Sequence, residues 1–360
     1  MANGSYGIRA GRGSEYWNFS EKPTRLRTDG LPLDMSLKQV QIYYSNYENS
    51  EQWKIIAQMP ELEELSLIDP KPDIVNLIPE LSNLKRLHID GYRNETIDFL
   101  LKLPKLEELC IEYSSRFKNL DSFANLRNLK ALKLHNLRKI QDFSGLAGLG
   151  QLKHLIIDSQ FDYAQPIESF SFLEAMSELE HLELGRIRSL TKTDTTIPFR
   201  GLKALKYLKL PSNIFSLRDY ALLDVLLPGH IDRPEPIERL VFIRQGMAGG
   251  LRKAPLPSDL SSDQYEDPIV DLELGDHGSD LLALFSSIAD AVQNTQGLKK
   301  AGNDNEGQHK IRIRSDYFHP LGKGARKFRA KDKNANKKVL AHIEKYEALK
   351  SEMFIYVQSL

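Results

Sequence analysis

The stretch LEELSLID, Leu62–Asp69, returns 22 residues later as LKRLHIDG, Leu84–Gly91. Both copies place apolar residues first, fourth and sixth: Leu62, Leu65 and Leu67, then Leu84, Leu87 and Ile89. Successive side chains of a strand point to opposite faces, so Leu65 and Leu67 face one way while Glu64, Ser66 and Ile68 face the other. The leucine face is the core face. The first apolar residues of such L-x-x-L-x-L units are Leu37, Leu62, Leu84, Leu106, Leu129, Leu152, Leu179 and Leu205, at intervals of 25, 22, 22, 23, 23, 27 and 26 residues. A unit this short cannot bury its apolar face alone and stacks on its neighbours, which predicts a solenoid with one shared core.

Between the strands, IDFLLKLPKLEEL (Ile97–Leu109) and LDSFANLRNLKAL (Leu120–Leu132) carry the apolar spacing of short helices or turns, expected on the convex side. Pro60 and Pro104 precede the strand approach and stop helices there. On these units, from about Ser36 to Asn213, the chain resembles the leucine-rich repeat family, nearest the 22-residue class seen in bacterial internalins and cytosolic phosphatase-regulating proteins. The resemblance implies an α/β horseshoe with a parallel sheet on its concave face, a scaffold that binds proteins, and no chemistry of its own. The family usually has an asparagine three residues after the last leucine of the motif. The corresponding positions here are Pro70, Tyr92, Ser114, Leu137, Gln160, Ile187 and Asn213, so only the last conforms.

After Leu205 the pattern loosens. IERLVF (Ile237–Phe242) and IVDLEL (Ile269–Leu274) keep the apolar spacing 32 residues apart, Ser279 is placed to cap a helix through Leu281 to Val292, and HKIRIRSDYF reads as a strand. Val339, Ile343, Tyr346, Met353 and Val357 form the stripe of a terminal helix. The expected organisation is an N-terminal cap over 1–35, repeats over 36–214, and larger irregular units over 215–360 that continue the sheet as an α/β cap; a separate small domain is the alternative.

The 360 residues include 41% hydrophobic ones, enough for a substantial core, and 49 Lys plus Arg against 49 Asp plus Glu leave no whole-molecule field toward nucleic acid or membrane. The N-terminal residues lack the apolar core of a signal peptide, and no run of about 18 apolar residues occurs. Cys110 is the single cysteine, so no intramolecular disulfide and no cysteine-based zinc cluster can form. These features predict a cytoplasmic protein in a reducing compartment, with no membrane partner and no cofactor.

Residues between the leucines fall into columns on the open face of the sheet. One column holds Glu64, Arg86, Glu108, His154, His181 and Tyr207; the next holds His88, Lys133, Glu183 and Lys209; the third holds Asp90, Glu112, His135 and Asp158. This mixture of charges and an aromatic ring suits a protein partner held by charge complementarity. The alternative is a merely solvated face. His154 and His181 are column neighbours, and His135 lies beside Asp158. Side chains that fan outward from a sheet do not converge on a metal. A pH-sensitive face is the other option for these imidazoles.

Nucleophilic cysteines need an electropositive setting, and Cys110 stands between Glu108 and Glu112, which would raise its pKa. No phosphate-binding loop, zinc-protease or hydrolase motif occurs. From Ala254 to Leu298 the chain has nine acids and no Lys or Arg, whereas Lys300 to Lys345 has 13 basic residues and five acids. The two blocks either neutralise each other or leave a basic patch of Lys323, Arg326, Lys327, Arg329, Lys331 and Lys333, with Phe318 and Phe328 as stacking rings for nucleic acid. The leading expectation is a bacterial, non-catalytic scaffold, an inhibitor, immunity protein or adaptor, that holds another protein on its concave face.

Overall fold

The computed structural model describes residues 16–20, 24–26, 34–43, 56–71, 75–76, 78–114, 116–160, 163–191, 195–229, 234–245, 248–262, 264–266, 268 and 311–359. The chain forms two compact units, Met1–Ile214 with Leu222–Arg233, and Phe215–Ala221 with Pro234–Leu360.

The first unit is built on a parallel sheet of nine strands: β1 (Thr24–Leu26), β2 (Gln39–Tyr43), β3 (Glu64–Ile68), β4 (Arg86–Asp90), β5 (Glu108–Glu112), β6 (Ala131–His135), β7 (His154–Asp158), β9 (His181–Leu184) and β11 (Tyr207–Lys209). The register carries each repeat onto the next: Leu65 pairs with Leu87, Leu87 with Leu109, and Leu109 with Leu132. These leucines are buried, as are Leu67 and Ile89. β8 (Gln165–Ile167) and β10 (Ile187–Ser189) make a separate parallel pair within the longer repeats.

Four successive strands, β3 to β6, leave the sheet through the same device. Asp69, Tyr113 and Asn136 adopt left-handed φ values of 51, 53 and 56°, and Gly91 sits at 82°. Their N–H groups donate to the carbonyl that ends the next strand, at 2.6 Å for Asp69 to Asp90 and 2.9 Å for Tyr113 to His135. The chain then turns into 3-10 segments, Asp98–Lys102, Asp121–Asn125, Ser144–Leu146, Ser171–Leu173 and Ile197–Gly201 among them. Successive segments stack closely enough that a Cβ on Gly145 would lie 2.3 Å from the Leu120 carbonyl oxygen. Phe143 and Phe172 lie 5.8 Å apart, and Phe170 and Phe199 5.6 Å, along the inside of this stack.

Where the family asparagine would stand, Tyr92, Ser114, Leu137 and Ile187 are buried. At Leu137 the missing hydrogen bonds come from another repeat. The buried Gln165 accepts from the Leu137 N–H at 3.0 Å and donates to the Ile140 carbonyl at 2.6 Å.

The second unit does not extend the parallel sheet. Its strands β12 (Ile237–Gln245), β13 (Ala248–Ala254), β14 (Ile311–Pro320) and β15 (Phe328–Arg329) form an antiparallel sheet of their own in the order β13-β12-β14-β15. This corrects the expectation that Ile237–Phe242 is a larger parallel repeat. Gln245 pairs with Ala248, so β12 and β13 are neighbours across a link far too short for the crossover that parallel strands require. Ile269–Leu274 and the helix expected after Ser279 lie outside the described residues.

Helix α1 (Leu217–Leu226) is started by a reciprocal cap: the Asp219 N–H donates to Ser216 Oγ at 3.1 Å, and that hydroxyl donates to the Asp219 carboxylate at 2.6 Å. Helix α2 (Ala335–Gln358) buries Val339, Tyr346 and Met353. Ile237, Phe318, Ala330, Ala335 and Val339 make the core of the second unit. Beside it, the buried Arg239 donates through Nε and Nη2 to both Asp316 oxygens, at 3.1 and 2.8 Å, and Tyr265 donates to the same carboxylate at 2.7 Å. No helix among the described residues is long and apolar enough to cross a membrane.

Candidate functional site

The register places the expected columns on the sheet. Glu64, Arg86 and Glu108 are neighbours across β3, β4 and β5, and His154, His181 and Tyr207 across β7, β9 and β11. His88, Cys110 and Lys133 line the second column, and Asp90, Glu112, His135 and Asp158 the third.

Much of this face is not open. Glu64, Glu108, His154 and His181 of the first column and His88 of the second are each at most 4% exposed, and Arg86 and Tyr207 are half-buried, so most of the first column is interior rather than a free surface. The physical reason is a segment that the repeat pattern does not contain. Tyr16–Ser20 runs across the column: the Ser20 N–H donates to Glu64 Oε2 at 3.0 Å, Asn18 N–H and Nδ2 donate to the two Glu108 oxygens at 2.8 and 2.7 Å, and Tyr16 Oη donates to Glu180 at 2.9 Å. The Tyr16 and Trp17 rings stand edge-on to His154 at 5.0 and 5.6 Å. His154 lies 4.1 Å from His181, which stacks on Tyr207 at 4.2 Å. One signal for this segment was present in the sequence, namely three aromatic residues among EYWNFS in an otherwise small and polar stretch.

The electrostatics follow from this burial. Burial is the main influence that lowers the His154 imidazole from 6.5 to about 3, helped by neighbouring His181. His181 is lowered for the same leading reason. Burial would raise the Glu112 carboxyl, but the hydrogen bond from His88 and the Lys133 charge outweigh it and hold it at about 2. That carboxylate is shared, with His88 Nε2 3.0 Å from Oε2 and Lys133 Nζ 2.7 Å from Oε1. His88 Nδ1 in turn lies 2.8 Å from Ser66 Oγ. Burial also raises the Cys110 thiol well above its ordinary value, with Glu112 adding to the effect. Burial, and not the flanking carboxylates, is thus the main cause of the rise.

His88, Cys110 and Glu112 bring potential ligand atoms within 4.8 Å of one another. Both Glu112 oxygens already have protein partners, one of them the Lys133 ammonium, which opposes a cation there. Arg86 likewise pairs with Glu64 at 2.9 Å, so Arg86 and Lys133 are partners within the face and not free contact residues. Asp158 is structural as well, accepting from the Ser159 and Arg186 N–H groups at 2.7 and 2.6 Å.

What remains accessible lies along the third column and the far edge. Asp90 and His135 are half-buried, Tyr113 is 40% exposed against the His135 ring, and Lys209 is exposed while paired with Glu183 at 2.6 Å.

The C-terminal basic residues Lys323, Arg326, Lys327, Arg329, Lys331 and Lys333 are all exposed. The rings expected to stack with bases are not available. Phe318 is fully buried, and Lys338 lies over the Phe328 ring at 5.3 Å. Lys327 and Lys331 sit over Tyr317 and Tyr265, each at 4.7 Å. The nucleic-acid reading loses its stacking platform.

No protein-family model and no characterised protein sequence matches the chain. Among solved structures it is similar to internalin C2 of Listeria monocytogenes, at 26% identity over 43% of this chain and 62% of that one, with a TM-score of 0.35. It is also similar to a second Listeria monocytogenes internalin, at 19% identity over 51% of this chain and 55% of that one, with a TM-score of 0.34. A leucine-rich repeat protein of Leptospira interrogans matches at 19% identity over 49% of this chain and 43% of that one, with a TM-score of 0.37. The chain thus spans less than two thirds of each of these structures. The repeat period, the nine-stranded parallel sheet and the stacked 3-10 segments together are a leucine-rich repeat solenoid.

Proposed function

We propose that this leucine-rich repeat protein is a non-catalytic scaffold of the bacterial cytoplasm that holds a protein partner on its concave face, as an inhibitor, immunity protein or adaptor. The observation that supports this reading is the accessible band of Asp90, Tyr113, His135 and Lys209. Its acid, aromatic ring, imidazole and ammonium stand on a rigid sheet and do not fill the core. Rigid presentation of mixed charge and an aromatic ring keeps the ordering cost of binding low.

The test reverses charges where folding tolerates it. Asp90 has Glu112 and Asp69 beside it, and burial followed by those charges raises its carboxyl, so Asp90→Lys relieves repulsion. Lys209→Glu acts at a half-exposed side chain. A partner captured from the native cell and identified by mass spectrometry should lose about thirtyfold or more in affinity for the double variant, since a broken interface pair costs about 2–5 kcal/mol. Lys327→Glu with Lys331→Glu is the control. Loss of binding by the control, with normal binding by the Asp90 and Lys209 variant, moves the partner surface to the second unit.

A further inference from the structure

The first column already holds a polypeptide. Tyr16–Ser20 reaches from Glu64 on β3, through Glu108 on β5, to Glu180 just before β9, and donates hydrogen bonds to the side chains of all three. Asn18 is gripped at two points by one carboxylate, through its main-chain N–H and its side-chain amide. Reading a main-chain N–H with a carboxylate accepts any non-proline residue, whereas the amide contact selects for asparagine or a similar donor. Trp17 is the one buried residue of the segment; Asn18 is exposed, and Tyr16, Phe19 and Ser20 are half-buried. Tyr16–Ser20 is not a strand of the parallel sheet, and a segment outside the ladder opens at lower cost than one knitted into it.

The fit is also incomplete. Among the described residues, neither ring nitrogen of His154 has a hydrogen-bond partner, nor do His181 Nε2 and Trp17 Nε1, although all four atoms are buried. Buried polar atoms are normally paired, because an unpaired one forfeits its hydration for nothing. Three of these atoms belong to the groove and one to the segment, so the groove has hydrogen-bonding capacity that its present occupant does not use, and the occupant has a donor that the groove does not receive.

We propose that the first column is a peptide-binding groove for an extended partner segment, with main-chain N–H groups directed to Glu64 and Glu108 and an aromatic residue flanked by a hydrogen-bonding side chain directed to His154 and His181, and that Tyr16–Ser20 is the resident occupant this segment displaces. The inference rests on the concave face being the partner surface. It adds what the partner looks like and why the free protein resists binding. The partner presents an unfolded or loop segment of the character Tyr-Trp-Asn-Phe-Ser, improved by a group that satisfies His154. Displacement sets the threshold: a resident seated about nine-tenths of the time lowers the apparent affinity of a competitor about tenfold.

A fluorescein-labelled peptide with the sequence of residues 14–22, SEYWNFSEK, is the probe. Its affinity is measured by anisotropy for the full-length chain and for the full-length chain carrying Trp17→Ala with Asn18→Ala. The weakened resident should raise probe affinity about tenfold, and adding Glu108→Gln should reverse the gain. Equal affinity for the two chains overturns the proposal. A second measurement uses the native segment. With Trp53→Phe, Trp17 is the only indole, and an excess of the Trp-free peptide SEYFNFSEK should shift its emission to the red as the segment leaves the groove. No shift at about 1 mM peptide, the weak end of specific affinity, overturns the proposal equally. The two readings fail separately. If the probe enters the groove while Asp90→Lys with Lys209→Glu binds the natural partner normally, the groove stands and the outer band is not the partner surface; if that variant loses the partner and the probe never binds, the reverse holds.

Discussion

At the scale of single residues, His154 shows how one buried imidazole ties folding to pH. Its pKa is 6.5 when exposed and about 3 in the folded chain, so the unfolded state binds the proton more readily between those values. The stability from keeping it neutral is present above pH 6.5 and is lost as pH falls toward 3. Between pH 7 and pH 5 the loss is about 2 kcal/mol at 1.36 kcal/mol per unit. Urea unfolding followed by the fluorescence of Trp17, whose ring lies 5.6 Å from His154, reads this directly. The variant His154→Phe keeps an aromatic ring against His181 and Tyr16 and should flatten the dependence. The lowered His181 leaves a residual slope of the same sign. Glu112, held at about 2, is ionised throughout that range and loses its contribution only as pH falls from 4.5 toward 2. An unchanged slope in His154→Phe would mean that His154 takes up its proton without resistance.

At the scale of elements, the repeat is limited by how closely its 3-10 segments stack. Gly145 stands where a methyl group would meet the Leu120 carbonyl oxygen at 2.3 Å, while at Gly150 the nearest atom, the Ala175 carbonyl oxygen, is 3.5 Å away. Overpacking costs about 1–3 kcal/mol and more where backbone must move. Gly145→Ala should therefore destabilise the first unit by that amount, and Gly150→Ala should change it by under about 0.5 kcal/mol. Chemical denaturation of the two variants checks this, and equal effects would show that the stack yields easily. Burial of Leu137 has a similar logic. An apolar residue replaces the asparagine of the family pattern there, and Gln165 from another repeat supplies the hydrogen bonds that its side chain cannot.

At the scale of the whole chain, the two units have separate cores. Leu109 is fully buried in the parallel sheet, and Arg239 is buried against Asp316 in the antiparallel one. Leu109→Ala should cost about 2–5 kcal/mol. Arg239→Ala leaves the Asp316 charge without its buried partner and should cost about 3–5 kcal/mol. Calorimetry should show that the two changes lower different transitions. If each lowers the same single transition by a comparable amount, the chain unfolds as one cooperative body from the repeats to α2, as the repeat pattern alone suggests.

The sequence by itself determined the solenoid, its register and its columns, because those depend on an apolar period written within each short repeat. Leu65 and Leu87 need no knowledge of distant residues to face the core, and the same alternation set Glu64 beside Arg86 and His154 beside His181. Tertiary structure alone decided which column faces water. Asn18 meets Glu108 across 90 positions and Tyr16 meets Glu180 across 164, and no local pattern marks such pairs. The pairing of β12 with β14, with Arg239 held by Asp316 at a separation of 77, is equally invisible to a repeat count. Local periodicity sets which face of a strand is apolar; whether the other face is surface or interior depends on what the rest of the chain lays across it.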